Sequence, residues 1–272
     1  MPDRYAVIGN PIAHSKSPLI HAAFARQTGQ DLAYERLLAP LDGFTATAEQ
    51  FAGEGGKGLN VTMPFKLEAF MLARGLSERA RVAGAVNTLR RDGDGWYGDN
   101  TDGVGLVRDL VDNLGVRIEG RDVVILGAGG ATRGIVVPLL EQKPRTLTVA
   151  NRTVDKAVAL AADFVAYGAV RAASAAALEE RTFDVVIHAT SADVTGGASV
   201  AWPRSMFAAG AFAYDLTYAD EPTAFVRFAR DQGVGAVADG LGMLIEQAAE
   251  SFFVWRGVRP DTRPVFPLLR RA

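Results

Sequence analysis

One stretch limits what this chain can fold into. Val123-Val124-Ile125-Leu126 runs into Gly127-Ala128-Gly129-Gly130-Ala131-Thr132-Arg133, and a second apolar run, Thr146-Leu147-Thr148-Val149-Ala150, ends at Asn151-Arg152-Thr153. An apolar strand that enters a glycine-rich turn and then a helix is a device for holding a pyrophosphate: glycines let backbone N–H groups approach the phosphates, and the helix N-terminus adds partial positive charge. Ile135, Val136, Leu139 and Leu140 give the segment after the turn an apolar helical face, so strand, turn, helix and second strand come in the required order. The sixth position of the turn is Thr132, where the fingerprint has Gly or Ala. An NAD site places an acid at the end of the second strand to hold the ribose 2′-hydroxyl. Here Arg152 offers a guanidinium suited to a 2′-phosphate, so NADP is the expected cofactor.

With 272 residues, 49% of them hydrophobic, the chain is expected to form two domains. A net charge of -2 and a pI near 6.0 leave no electrostatic footprint for nucleic acid or an anionic membrane, which points to a small-molecule partner. The absence of cysteine excludes disulfides and thiol catalysis, and His14, His21 and His188 show no metal-ligand spacing. No apolar run is long enough to span a bilayer and none near Met1 reads as a signal, so a cytoplasmic location is expected. Of 29 basic residues only five are lysines: Lys16, Lys57, Lys66, Lys143 and Lys156. A lysine in so arginine-rich a chain suits a position where an ammonium must release a proton.

Strands and helices alternate through the first hundred residues. Tyr5 to Gly9 reads as a strand; Ser17-Pro18 reads as an N-cap with proline in the first turn, and Gly29 closes that helix. Strands from Tyr34 to Leu38 and Gly58 to Val61, helices within Gly43 to Ala52, Lys66 to Gly75 and Ser77 to Ala83, and a hairpin of Ala85 to Arg91 with Trp96 to Gly98 continue the pattern. A helix from Asp102 to Leu114 leads into a doubly wound second half. Its strands are expected at Asp122 to Leu126, Thr146 to Ala150, Val170 to Ala173, Asp184 to His188, Ala211 to Asp215 and Gly235 to Val237. A last amphipathic helix, Gly242 to Trp255, precedes Pro260, Pro264 and Pro267, which are expected to keep the tail extended.

Four polar clusters close strands or open helices, where ligand groups gather in open α/β folds: His14-Ser15-Lys16-Ser17, Asn60-Val61-Thr62 to Lys66, Ala85-Val86-Asn87-Thr88 and Asp99-Asn100-Thr101-Asp102-Gly103. Hydride delivery to a ketone needs a proton donor for the carbonyl oxygen. Lys66 is the best candidate and Asp102 its orienting partner. Ser15 and Ser17 offer two hydroxyls to a carboxylate, while Thr62, Asn87 and Gln247 can exchange hydrogen bonds with ring hydroxyls. Structural alternatives accompany each: Ser17 and Asp102 also suit helix caps, Lys66 a solvated first turn, Arg152 an ion pair with Asp155, Tyr218 aromatic packing.

Taken in order, Gly9-Asn10-Pro11-Ile12-Ala13-His14-Ser15-Lys16-Ser17-Pro18, Asn60-Val61-Thr62, Pro64-Phe65-Lys66, Ala83 to Thr88, Gly98 to Gly103, the glycine run, Asn151-Arg152-Thr153 and Asp239-Gly240-Leu241-Gly242-Met243-Leu244 closely resemble the shikimate dehydrogenase family over nearly the whole chain. The resemblance implies NADPH-dependent reduction of 3-dehydroshikimate to shikimate, toward chorismate and the aromatic amino acids, in a monomer or homodimer. It implies a discontinuous α/β substrate domain, residues 1–102 plus 240–272, the C-terminal helix returning to it, around a Rossmann-like NADP domain, residues 103–239. By position it makes Lys66 and Asp102 catalytic and assigns Ser15, Ser17, Thr62, Asn87, Tyr218 and Gln247 to substrate. Cofactor contacts fall on Gly127, Ala128, Gly129, Gly130 and Ala131, on Asn151, Arg152, Thr153 and Lys156, and on Glu78, Leu216 and Gly240. Two positions depart from the family's habit: Lys156 stands where relatives often have Arg, and His188-Ala189-Thr190-Ser191 where Asn-Ala-Thr-Ser is usual.

Three rival readings share these motifs: an NAD-linked quinate/shikimate dehydrogenase, a non-catalytic NADP-binding protein and a two-domain dehydrogenase acting on a folate. Arg152 argues against the first, the Lys66 and Asp102 pair against the second, and the Ser15 and Ser17 hydroxyls against the third.

Overall fold

The computed structural model describes residues 1–190 and 202–269, and the chain divides into two compact units, Met1–Gly105 with Leu244–Ala272, and Leu106–Met243. Among the described residues no helix is long and apolar enough to cross a membrane.

The first unit is built on β1 (Asp3–Gly9), β2 (Leu32–Leu38), β3 (Gly56–Val61), β4 (Gly75–Leu76), β5 (Thr88–Asp92) and β6 (Gly95–Asp99), ordered β2-β1-β3-β5-β6-β4. β1 lies parallel to β2 and β3, β5 pairs antiparallel with β3, and β6 pairs antiparallel with β5 through a turn in which Gly93 takes φ +57°. Ala6, Ile8, Leu59, Val61, Leu89 and Trp96 bury one side of this sheet against Phe44, Phe51 and Phe65. Each buried Ile, Leu or Val among them contributes roughly 1.5–3 kcal/mol. The helices are α1 (Ser17–Thr28), α2 (Phe44–Gly53), α3 (Lys66–Leu72), α4 (Glu78–Ala83) and α5 (Asp102–Arg108).

Several local expectations are corrected here. The N-cap of α1 is Lys16, not Ser17, and no side chain caps it. α3 ends at Leu72 rather than Gly75, because Gly75–Leu76 pairs with Tyr97–Gly98 as a short parallel edge strand. Ala85 to Asn87 precede β5 rather than belonging to it, and the helix expected from Asp102 to Leu114 passes from α to π geometry at Asp109–Asn113.

The second unit holds β7 (Asp122–Leu126), β8 (Thr146–Asn151), β9 (Val170–Ser174), β10 (Phe183–His188), β11 (Phe207–Asp215) and β12 (Ala236–Ala238), all parallel, in the order β12-β11-β10-β7-β8-β9. Its connections include α6 (Gly130–Glu141), α7 (Val154–Asp163) and α8 (Ala224–Asp231). Val123 to Leu126 and Val185 to His188 are buried throughout, as central strands covered on both faces must be. The strand order reverses between β7 and β10, and in such sheets ligands bind beyond the carboxyl ends of the strands at that reversal.

α9 (Leu241–Arg256) enters the first unit at Leu244, where Trp255 donates its indole N–H to the Leu89 carbonyl at 3.0 Å and lies over Gly58. A Cβ on Gly58 would come within 2.6 Å of the indole nitrogen, so glycine is what admits the ring. The proline tail is not extended: Arg263–Val265 forms a 3-10 turn and α10 (Phe266–Leu269) follows. Proline is tolerated there because the first turn of a helix needs no N–H from it.

Candidate active site

In the first unit the ends of β3, β5 and β6 deliver Thr62, Lys66, Asn87 and Asp102, and α9 adds Gln247. Lys66 Nζ lies 2.5 Å from Asp102 Oδ2, the lysine one-fifth exposed and the aspartate buried. The other Asp102 oxygen accepts from Asn87 Nδ2 at 2.8 Å. Both carboxylate oxygens of Asp102 thus meet side chains, Lys66 on one and Asn87 on the other. The same Asn87 amide also faces Thr101 Oγ1 at 2.9 Å and Gln247 Oε1 at 3.3 Å, while its carbonyl accepts from Thr101 N–H at 2.9 Å. Asn87 therefore links Asp102, Thr101 and Gln247, and it is buried at 2% exposed.

Four residues that the sequence reading did not single out complete this lattice. Ser251, one turn beyond Gln247 on α9, lies 2.9 Å from Asn60 Nδ2, 2.8 Å from Thr88 Oγ1 and 3.1 Å from Thr101 Oγ1. Its i, i+4 spacing from Gln247 places both on one helix face, which is the only sequence signal that could have found it. Gly105 permits the approach: a Cβ there would sit 2.7 Å from the Gln247 backbone nitrogen. Beneath the Asp99 to Asp102 turn, Asp99 takes Arg79 Nε and Nη2 at 2.6 and 2.7 Å, and Arg79 also reaches Glu250 at 2.9 Å. Burial opposes the Arg79 charge, but its hydrogen bonds to Asp99 and Glu250 outweigh it and raise the guanidinium pKa.

Ser15 and Ser17 are buried side by side, Oγ to Oγ 3.2 Å, with Arg36 bonded to the Ser15 carbonyl. Thr62 follows β3, its backbone N–H bonded to Ile8 O at 3.0 Å. Tyr218 belongs to the second unit, in the segment after β11, whereas the other substrate candidates belong to the first.

The cofactor candidates lie in the second unit except Glu78, the exposed first residue of α4, which forms an ion pair with Arg81. Gly127 takes φ +118°, and a Cβ on it would lie 3.0 Å from the Ala189 carbonyl oxygen, so only glycine fits. Gly129 and Gly130 differ: among the described residues a Cβ on either meets no atom within 4 Å. That open space faces the N-terminus of α6, which carries no side-chain cap, so first-turn N–H groups remain for an anion. Thr132, at the fingerprint's sixth position, is fully buried and donates to Gly127 O at 2.8 Å, bracing the loop with the hydroxyl that Gly or Ala would lack. Asn151 ends β8 and donates to Thr153 O at 2.9 Å; Arg152, Thr153 and Lys156 are exposed around the start of α7. Leu216 and Gly240 meet backbone to backbone, a Cβ on Gly240 falling 2.1 Å from Leu216 O. An uncapped helix end, open space over two glycines and an exposed arginine at the next strand end fit a phosphorylated dinucleotide.

Comparison with known proteins adds three family matches: the shikimate dehydrogenase substrate binding domain over residues 7–89, shikimate / quinate 5-dehydrogenase over 109–195, and the shikimate 5′-dehydrogenase C-terminal domain over 240–265. Shikimate dehydrogenase (NADP(+)) of Herminiimonas arsenicoxydans is 58% identical over 270 residues, covering 99% of this chain and 98% of that protein. Its counterpart in Chromobacterium violaceum is 57% identical over 273 residues, covering 100% and 99%. Among solved structures, shikimate 5-dehydrogenase of Thermus thermophilus in complex with NADP(H) and shikimate is similar at TM-score 0.87 and 32% identity, with 99% of each chain covered. A 5-ketofructose reductase of Gluconobacter is also similar, at TM-score 0.82 and 26% identity, covering 100% of this chain and 99% of that one.

Proposed function

The chain belongs to the shikimate dehydrogenase family, and from that premise we propose that Lys66 and Asp102 carry proton transfer in the reaction it catalyses, the reversible NADPH-dependent reduction of 3-dehydroshikimate to shikimate on the route to chorismate and the aromatic amino acids. Bound NADPH supplies the hydride. As negative charge gathers on the substrate's carbonyl oxygen, the Lys66 ammonium polarises that oxygen and then gives it a proton, completing the hydroxyl; in reverse, the neutral amine takes the proton back. A positioned general acid contributes about a hundred- to ten-thousandfold. Asp102 keeps the ammonium charged and aimed, and Asn87 keeps Asp102 from turning away.

The remaining assignments follow the chemistry of the groups. Ser15 and Ser17 donate to the substrate carboxylate, and Thr62, Asn87 and Gln247 hold ring hydroxyls, with Tyr218 as a further contact. The Gly127 to Ala131 loop takes the pyrophosphate; Asn151, Arg152, Thr153 and Lys156 take the adenosine ribose and its 2′-phosphate; Leu216, Gly240 and Glu78 are further cofactor contacts. In this reading residues 1–102 with 240–272 form the substrate domain and 103–239 the NADP domain, in a cytoplasmic monomer or homodimer with no nucleic-acid partner.

The observation that carries the reading is the 2.5 Å Lys66–Asp102 pair, locked by the buried Asn87 amide. Shikimate or quinate offered with NADP or NAD, followed by nicotinamide absorbance, tests it. Turnover confined to shikimate with NADP is expected, and turnover led by quinate with NAD would overturn it.

A further inference from the structure

The buried end of β10 carries a side-chain relay that the reaction as described does not use. His188 is 4% exposed, and its ring lies nearly parallel to Phe225 at 4.6 Å. Nδ1 is 3.0 Å from Asp215 Oδ1, and Nε2 is 2.7 Å from Thr190 Oγ1. Asp215 is itself saturated: Oδ1 also accepts from Thr217 N–H at 3.0 Å, and Oδ2 accepts from the Thr223 hydroxyl at 2.6 Å. The backbone on either side is pinned, Ala189 N–H to Leu126 O at 2.8 Å and Leu216 N–H to His188 O at 2.9 Å. Thr190 thus stands at the reversal of strand order between β7 and β10, its methyl group 3.0 Å from where a Gly127 Cβ would be.

The proton inventory gives this relay a direction. A carboxylate is acceptor-only, so in the ring tautomer that this contact selects Nδ1 holds the hydrogen and Nε2 accepts from the Thr190 hydroxyl. Once that hydrogen is spent, Thr190 Oγ1 has only lone pairs to offer. A hydroxyl in that state suits a donor and repels a phosphate oxygen. We infer that His188, held by Asp215, is a positioning residue that presents Thr190 beside the glycine loop as an acceptor for an N–H or O–H donor of the bound dinucleotide, a ribose hydroxyl or the carboxamide.

The inference rests on the NADP reading of the loop, so wild-type NADP+ binding is measured first by calorimetry; no binding would overturn both. With binding established, Thr190→Val and His188→Phe, the latter retaining a ring against Phe225, are each expected to weaken NADP+ by about 3- to 10-fold, the range of one lost hydrogen bond. The double variant is expected to be no weaker than the worse single one, since both break the same relay. Thr190→Ser, and His188→Asn, whose amide can donate to Asp215 and accept from Thr190, are expected to stay within about twofold to threefold of wild type, with the KM for shikimate unmoved in all. Independent, additive losses, or unchanged NADP+ affinity in Thr190→Val, would overturn the inference. Nitrogen-15 chemical shifts of His188 in the wild-type protein need no variant to fold: a neutral Nδ1–H tautomer is expected, and a proton on Nε2 would overturn it.

Discussion

Under the proposed function, the two units would hold their ligands in opposite ways. The first unit uses side chains: Lys66, Asn87, Asp102 and Gln247 converge from three strand ends and one helix, and buried partners hold them to one another. The second uses backbone and empty space: Gly129 and Gly130 contribute no side chain, α6 begins without a side-chain cap, and Arg152 and Lys156 lie exposed at the rim. In that proposal the difference follows from the ligands. A proton must be transferred at one atom, and that requires a rigid, dry, hydrogen-bonded donor. A pyrophosphate spreads its charge over many oxygens, and a row of amide N–H groups matches it without any titrating group.

The contrast breaks most sharply at Lys66. Lys66→Ala should lower the rate constant for shikimate oxidation by at least about a hundredfold and leave the NADP+ dissociation constant unchanged, as separate kinetic and calorimetric titrations would reveal. A Lys66 variant with wild-type turnover would dissolve the distinction between the two kinds of site.

The dry interior of the first unit has a second consequence at His21. Fully buried and stacked on Tyr34 at 4.2 Å, its imidazole is pushed by burial from the usual 6.5 to about 3. Because the folded pKa is depressed, the unfolded chain takes up a proton below pH 6.5 that the folded chain refuses, so this contribution to stability is full above pH 6.5 and is lost as pH falls toward 3. The loss at pH 5 is about 2 kcal/mol. Urea unfolding across that range should show it, and His21→Phe should flatten the slope.

The glycine loop offers a subtler contrast. Gly129→Ala should leave the melting temperature within a degree or so, since the new Cβ meets nothing among the described residues, yet weaken NADP+ by about tenfold because the methyl occupies space the pyrophosphate needs. Gly127→Ala should lower both, since at φ +118° the residue is strained whatever its surroundings. The smallest effect is expected at the rim: Arg152→Ala should raise the KM for NADP by several-fold, leave that for NAD unchanged, and make the remaining NADP affinity less sensitive to salt.

Much of this was legible in the chain. The β7–loop–α6–β8 run announces itself because its signals are local: apolar residues, then glycines, then an apolar helical face. The Lys66 and Asp102 pair was legible only through four turn clusters scattered over the first hundred residues. Ser251, Gly105 and the Arg79–Asp99–Glu250 network were not legible, since each acts through neighbours 20 to 191 residues away. The proline-bearing tail misled for a related reason: proline excludes an extended helix but not the short turns of Arg263–Val265 and Phe266–Leu269.

By itself, then, the sequence determined most of the longer strands and helices, that the second sheet is doubly wound, and the chemical types of the side chains at the strand ends. Hydrophobic periodicity and turn chemistry are properties of adjacent residues, and they act before any long-range contact forms. Tertiary structure alone decided that Asn87 serves three partners, that Ser251 ties α9 to β3 and β5, and that His188 spans Asp215 and Thr190. Buried polar atoms must find partners wherever the packing of apolar faces brings them, and that packing is settled by the whole chain at once.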